Sequence, residues 1–175
     1  SVPPRRVEVR GAFGLVASVY TQLKTEVITA LSEGGIEQRL TTLEGVRRTA
    51  VLDKLVTVEG ELAFPSLPAA ILDLAGTVSV HDLKVLNAKA VAKGTLSVLC
   101  AWRAEGDNTL QSQSVELPFN QVLDVEGLSE DCRCLCVAEP VGFTVTQGEG
   151  DAPSALSATV MLRLRAWRPY QLQCV

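Results

Sequence analysis

Between residues 155 and 167 the apolar residues fall on every second position. Leu156, Ala158, Val160, Leu162, Leu164 and Ala166 make one row; Ser157, Thr159, Met161, Arg163, Arg165 and Trp167 make the other. A period of two puts successive side chains on opposite faces of an extended chain. One face is apolar and the other mixed, as in a half-buried antiparallel strand. The stretch 88–102 repeats the pattern, with Ala90, Ala92, Leu96, Val98, Cys100 and Trp102 opposed to Lys89, Lys93, Thr95 and Ser97. Val56, Val58, Leu62 and Phe64 share a face, as do Val7, Val9, Phe13, Leu15, Ala17 and Val19. Weaker strand candidates are 24–31, 36–43, 77–86 with a break at His81-Asp82, 110–119 and 131–146. One short helix is expected around 67–74, after Pro65 and Pro68. The expected fold is therefore all-β: two packed antiparallel β modules, sandwich-like, with little helix.

The turns fit that reading. Ala104 to Thr109 carries Gly106, Asp107 and Asn108, which accept left-handed backbone angles. Gln147 to Pro153 is rich in glycine and acid and reads as a flexible hairpin loop. A faint internal repeat joins Val7–Leu15, Val56–Phe64 and Ala90–Val98. Each places a glycine (Gly11, Gly60, Gly94) on the apolar face between bulky residues. An inward glycine admits a close approach by a backbone or a ring, or marks a bulge. The repeat suggests two related modules, 1–70 and 71–175, linked by the proline-containing stretch 65–75.

Composition excludes several function classes. The 175 residues are 47% hydrophobic and 21% charged, enough to build a core without disulfides. Net charge is −4, which argues against general nucleic-acid binding. No apolar run reaches the roughly 18 residues of a membrane-spanning helix. The chain starts at Ser1 and stops inside an alternating stretch, so it reads as a fragment of a longer protein. Five cysteines at irregular spacing make a poor disulfide framework, and a reducing, cytosolic setting is the simpler reading.

Catalytic chemistry is sparse. His81 is the only histidine, at a strand break beside Asp82, and reads as a solvated turn residue. There is no glycine-rich phosphate loop, dinucleotide fingerprint or His-Glu-x-x-His motif. Cys132, Cys134 and Cys136 would share one strand face, roughly 6.6–7 Å apart. Buried packing is the preferred reading. Metal or redox chemistry stays open as an alternative, although no second cysteine pair or histidine lies nearby in sequence. No catalytic, cofactor or metal site is assigned, and the chain is read as not an enzyme. Small basic patches occur at Arg5, Arg6 and Arg10, at Arg47-Arg48, and at Arg163, Arg165 and Arg168. A solvated strand face is the default for such arginines. The alternative is a protein-contact face built on Arg163, Arg165 and Trp167, since Arg and Trp are favoured at interface hot spots.

The order of segments resembles a known family. Leu62-Ala-Phe-Pro65 is followed by Ile71-Leu-Asp-Leu74, Val78-x-Val80 and Lys84-Val85-Leu86-Asn87. Then come Val91-Ala-Lys-Gly94-Thr-Leu-Ser-Val98, an aromatic strand end at Trp102, and Val115-Glu-Leu-Pro118-Phe119-Asn-Gln-Val122. This order is similar to the SPOCS domain of clostridial spore-coat proteins, strongest over 71–147, and to the N-terminal region of SipL-type morphogenesis proteins. The resemblance implies a non-enzymatic spore-coat assembly role through protein–protein contacts, in the mother-cell cytoplasm at the forespore surface. It implies the coat ATPase SpoIVA as a partner, reached through a LysM domain that usually follows such domains. It supplies no catalytic residues. The LysM association also suggests an alternative, a β module binding carbohydrate or cell-wall fragments, with Trp102 or Trp167 stacking on a sugar ring.

Overall fold

The computed structural model describes residues 10–12, 14, 15, 17, 19, 21, 24–32, 34, 35, 37–65, 68–106, 109–148 and 153–175. Its strands are β1 (Thr41–Leu62), β2 (Pro68–Leu86), β3 (Lys89–Ala104), β4 (Leu110–Asp124), β5 (Arg133–Thr146) and β6 (Ser154–Cys174). Among the described residues there is no helix, and so none long and apolar enough to cross a membrane.

The strands form two three-stranded antiparallel sheets, ordered β1-β6-β5 and β2-β3-β4. In the first, Arg133 pairs with Trp167 and Thr146 with Ala155. Glu44 bonds Gln171 while Asp53 bonds Arg165, so β1 also runs antiparallel to β6. In the second, Leu86 pairs with Lys89 across a tight turn, and Lys89 in turn with Asp124. The expected alternation governs both sheets. Ala90, Ala92, Leu96, Val98, Cys100 and Trp102 point inward from β3, and the even-numbered row Leu156 to Ala166 points inward from β6. Both rows belong to one apolar core shared by the sheets.

Two inward glycines lock the sheets together. A Cβ on Gly76 of β2 would lie 2.5 Å from the Phe143 ring of β5. A Cβ on Gly60 of β1 would collide with Leu117 of β4. Each glycine is thus a hole filled by a knob from the opposite sheet, and any larger side chain would displace the knob. Gly94 serves within its own sheet, where the Phe119 ring covers it from the paired position on β4. One end of the core is closed by residues 125–132. Val125 and Leu128 are buried there, and Ala88 donates to the Leu128 carbonyl and accepts from the Val125 amide. Those bonds hold Ala88 at φ 60°, a left-handed angle that costs a residue with a Cβ.

Several expectations are corrected. Where a helix is expected around 67–74, the described residues 68–74 are the beginning of β2, with Ile71 paired to Trp102 and Leu74 to Cys100. Those pairings override the helical preference of Ala69, Ala70, Leu72 and Leu74. Residues 24–31 and 37–40 are not in strands. Of the early strand, Val7, Val9 and Phe13 lie outside the described residues. Leu15, Ala17 and Val19 are described and not in a strand, with Leu15 96% and Val19 85% exposed. His81 lies within β2 at a register shift between Val80 and Asp82 rather than in a turn.

By contacts the chain divides into two units, Thr42–Leu172 and a second made of Ser1–Thr41 with Gln173–Val175. The first contains nearly all of both sheets. In the second, the Val175 amide donates to the Ile28 carbonyl and the Cys174 thiol to the Thr41 carbonyl.

Candidate protein-contact face

Arg163, Arg165 and Trp167 lie on β6 with their side chains on the outer face of its sheet, because the buried row occupies the even positions. β6 is the central strand, so these residues run down the middle of that face. Arg163 Nη1 meets Glu139 Oε2 of β5 at 2.5 Å. Arg165 Nη1 meets Asp53 Oδ1 of β1 at 2.6 Å and also donates to the Leu52 carbonyl at 3.2 Å. One arginine therefore ties β6 to each neighbouring strand. The hydrogen bond from Arg165 holds the Asp53 carboxyl below its ordinary value, against a smaller opposing effect of burial. Trp167, half-buried, pairs across the ladder with Arg133.

Around these pairs the face is apolar. Leu135 and Val137 follow one another along the outer row of β5, 54% and 43% exposed, with Val141 beyond them. Val51 and Leu55 are exposed on β1. Met161 lies between the two strands and opposite Glu139. Arginine stems cover apolar surface while their heads stay wet, so Arg163 and Arg165 extend this patch rather than interrupt it. The apolar members outside β6 are what sequence reading missed. The signal was present in β5, whose two rows are both largely apolar: Cys134, Cys136 and Ala138 inward, Leu135, Val137 and Val141 outward.

Each sheet edge carries a feature that disfavours an added strand. Pro118 on β4 and Pro140 on β5 lack the N–H that an added strand would use, and β5 also shifts register between Pro140 and Gly142. β2 shifts register three times. On β1, Lys54 reaches over to the Val122 carbonyl of β4 at 3.3 Å and lies across that side of the sandwich.

The other candidates take structural places. Trp102 is 1% exposed and meets Phe64 edge-on at 5.0 Å, so it is not available to stack on a sugar. His81 is exposed, with Nδ1 3.3 Å from Ser79 Oγ and Nε2 3.0 Å from Thr95 Oγ1. All five cysteines are free thiols. Cys134 and Cys136 point at the core, and burial pushes both thiols up. Cys132 is buried too, but hydrogen bonding with Ser129 and Thr49 outweighs burial and brings it down. Ser129 is itself held by Asp131 and Arg168, so this thiol closes a small polar cluster at the foot of β5. Among the described residues no group of three or more His, Cys, Asp or Glu side chains is placed to hold a metal ion.

Residues 69–146 match the family described as SipL, SPOCS domain. The match takes in nearly all of β2 and the whole of β3, β4 and β5, and leaves β1 and β6 outside it. No curated protein and no solved structure matches the chain.

Proposed function

We propose, from the match of residues 69–146 to the SPOCS domain family, that this chain is a non-enzymatic module of spore-coat assembly that works by protein–protein contact. The observation that carries the reading is the apolar, ion-paired outer face of the β1-β6-β5 sheet. Contiguous exposed apolar residues mark interaction surfaces, whereas scattered ones do not. The face offers what an interface uses: Leu135 and Val137 exposed on β5, arginines already held in place along β6, and Trp167 toward one end. In this reading the module acts in the mother-cell cytoplasm at the forespore surface. SpoIVA is the proposed partner there, its contact made by a LysM domain and this face left for other contacts. The sporulation setting rests on the family, and the mode of action rests on the face.

The test is a fluorescent fusion of the full-length protein in a sporulating cell, alongside a deletion. A signal gathered at the forespore, and a coat that detaches on deletion, support the proposal. Diffuse fluorescence, or a properly attached coat without the protein, overturns it.

A further inference from the structure

We infer that the β5 side of this face takes an extended acidic segment of another protein, with a carboxylate over Trp167 and apolar side chains following along β5. The inference rests on the contact-face reading above and adds the chemistry of the partner.

The arginines of β6 bring their own carboxylates. Arg163 finds Glu139 on β5 and Arg165 finds Asp53 on β1, while Arg168 holds Asp131. The row across the sheet at Trp167 differs. On the β5 side Trp167 is paired with Arg133, which is exposed and has no ion pair among the described residues. On the β1 side stands Arg48. Glu44 bonds Gln171, the Tyr170 ring lies against Gly45, and Thr49 donates to the Ala166 carbonyl, a constant register that sets Arg48 opposite Trp167. Thr49 turns inward onto the Cys132 thiol next to buried Ala50, so the alternation of β1 shifts there. Arg48 therefore emerges, like Glu44, on the outer face.

Two arginines thus flank one indole, rooted about 10 Å apart across three strands. A guanidinium fork fits a carboxylate in bidentate fashion, and an indole gives it an apolar floor. Leu135 and Val137 follow Arg133 on the same face at steps of about 7 Å. An extended segment laid along β5 advances by the same step. A carboxylate at Arg133 then puts the residues two and four places on against Leu135 and Val137. The recognised pattern is an acidic residue with apolar residues two and four positions away, read in either direction. A polyanion such as nucleic acid is a poor fit, because the chain's net charge of −4 repels it and it has nothing for the apolar strip.

Selection of displayed random dodecapeptides on the whole 175-residue chain tests this, with the melting curve of every variant checked first. The selected peptides are expected to share the acidic–apolar spacing. The best of them, synthesised, should bind about tenfold more weakly to Arg133→Glu, and about tenfold more weakly when its acid is changed to the amide. Leu135→Arg with Val137→Arg should weaken it at least as much. Lys93→Glu, on the other sheet, should change binding less than about twofold. A selection that returns no peptide for this face overturns the inference, as do peptides without an acid or peptides indifferent to Arg133→Glu. Peptides that need Leu135 and Val137 but carry no acid would sink this inference and leave the contact-face reading standing.

Discussion

The two sheets share one core, yet their outer faces differ in kind. On β2-β3-β4 the outward residues include Thr77, Ser79, His81, Lys93, Thr95, Ser97 and Glu116. Its exposed large apolar residues are spread apart: Leu72 on β2, Leu99 between Ala75 and Ser114, Leu110 at the start of β4 opposite Arg103, and Val122 beside Val91 toward the other end. On β1-β6-β5 the apolar residues run together and the charges are paired across strands. Alternation dictates that one face of each strand be buried, and it is silent about the other. The outer rows are where a fold of this kind is free to differ. One of these two is dressed for water, and the other presents a surface with something to lose by staying wet.

The comparison requires that inward positions bear the shared core and outward ones do not, and the largest effect tests this. Gly76→Val drives a side chain into Phe143 and should cost about 2–3 kcal/mol of stability by denaturant melting. Its outward neighbour in Ala75→Val should stay within about 0.5 kcal/mol. If the two variants melt alike, the sheets are not locked as described.

The next effect addresses the faces themselves. Thr77→Val, Thr95→Leu and Ser97→Val together copy an apolar strip onto the polar face. Self-association there should rise about tenfold in sedimentation, at little cost to the melting temperature. Leu99→Arg should leave association unchanged. A change of similar size from Leu99→Arg would erase the distinction between the faces.

Smaller again is Arg165→Gln, which frees Asp53 and the Leu52 carbonyl and loosens β1 from β6. It should cost about 0.5–1 kcal/mol in thermal melts. His81→Ala, on the polar face, should cost less than about 0.5 kcal/mol.

The smallest effect is the pH dependence of that same ion pair. The folded Asp53 carboxyl lies below its ordinary value of 3.8. Its contribution is therefore present above that value and is lost as pH falls through the lowered one. Being exposed, the pair is screened, and the loss should amount to a few tenths of a kcal/mol below about pH 4. Arg165→Gln should remove that dependence, and melts across pH would show whether it does.

How much of this was legible in the sequence follows from the same physics. Strand β3 was readable nearly to its ends and β6 over 155–167, because one buried face imposes strict alternation there; beyond Trp167 the burial pattern of β6 loses that alternation and its last seven residues were missed. The inward glycines were readable for the same reason, and Gly60 and Gly94 do receive close neighbours. The start of β2 was not. Ala69 to Leu74 is apolar without alternation, and only pairing with β3, far along the chain, makes it a strand. The partners of Arg163 and Arg165 were hidden too. Glu139 and Asp53 stand 24 and 112 positions away, and register alone brings them together. The outward apolar row of β5 could have been seen, had the alternation been read for its second face as well as its first.

The chain holds two tryptophans, one on each side of this divide. Trp102 is sealed against Phe64, while Trp167 looks out from the middle strand of the contact face. The protein therefore carries its own optical gauge. Light from the first should be blue and deaf to acrylamide, and light from the second redder and readily quenched. Whatever settles on the face, the quenched share of the emission will fall by what it covers, with no label attached.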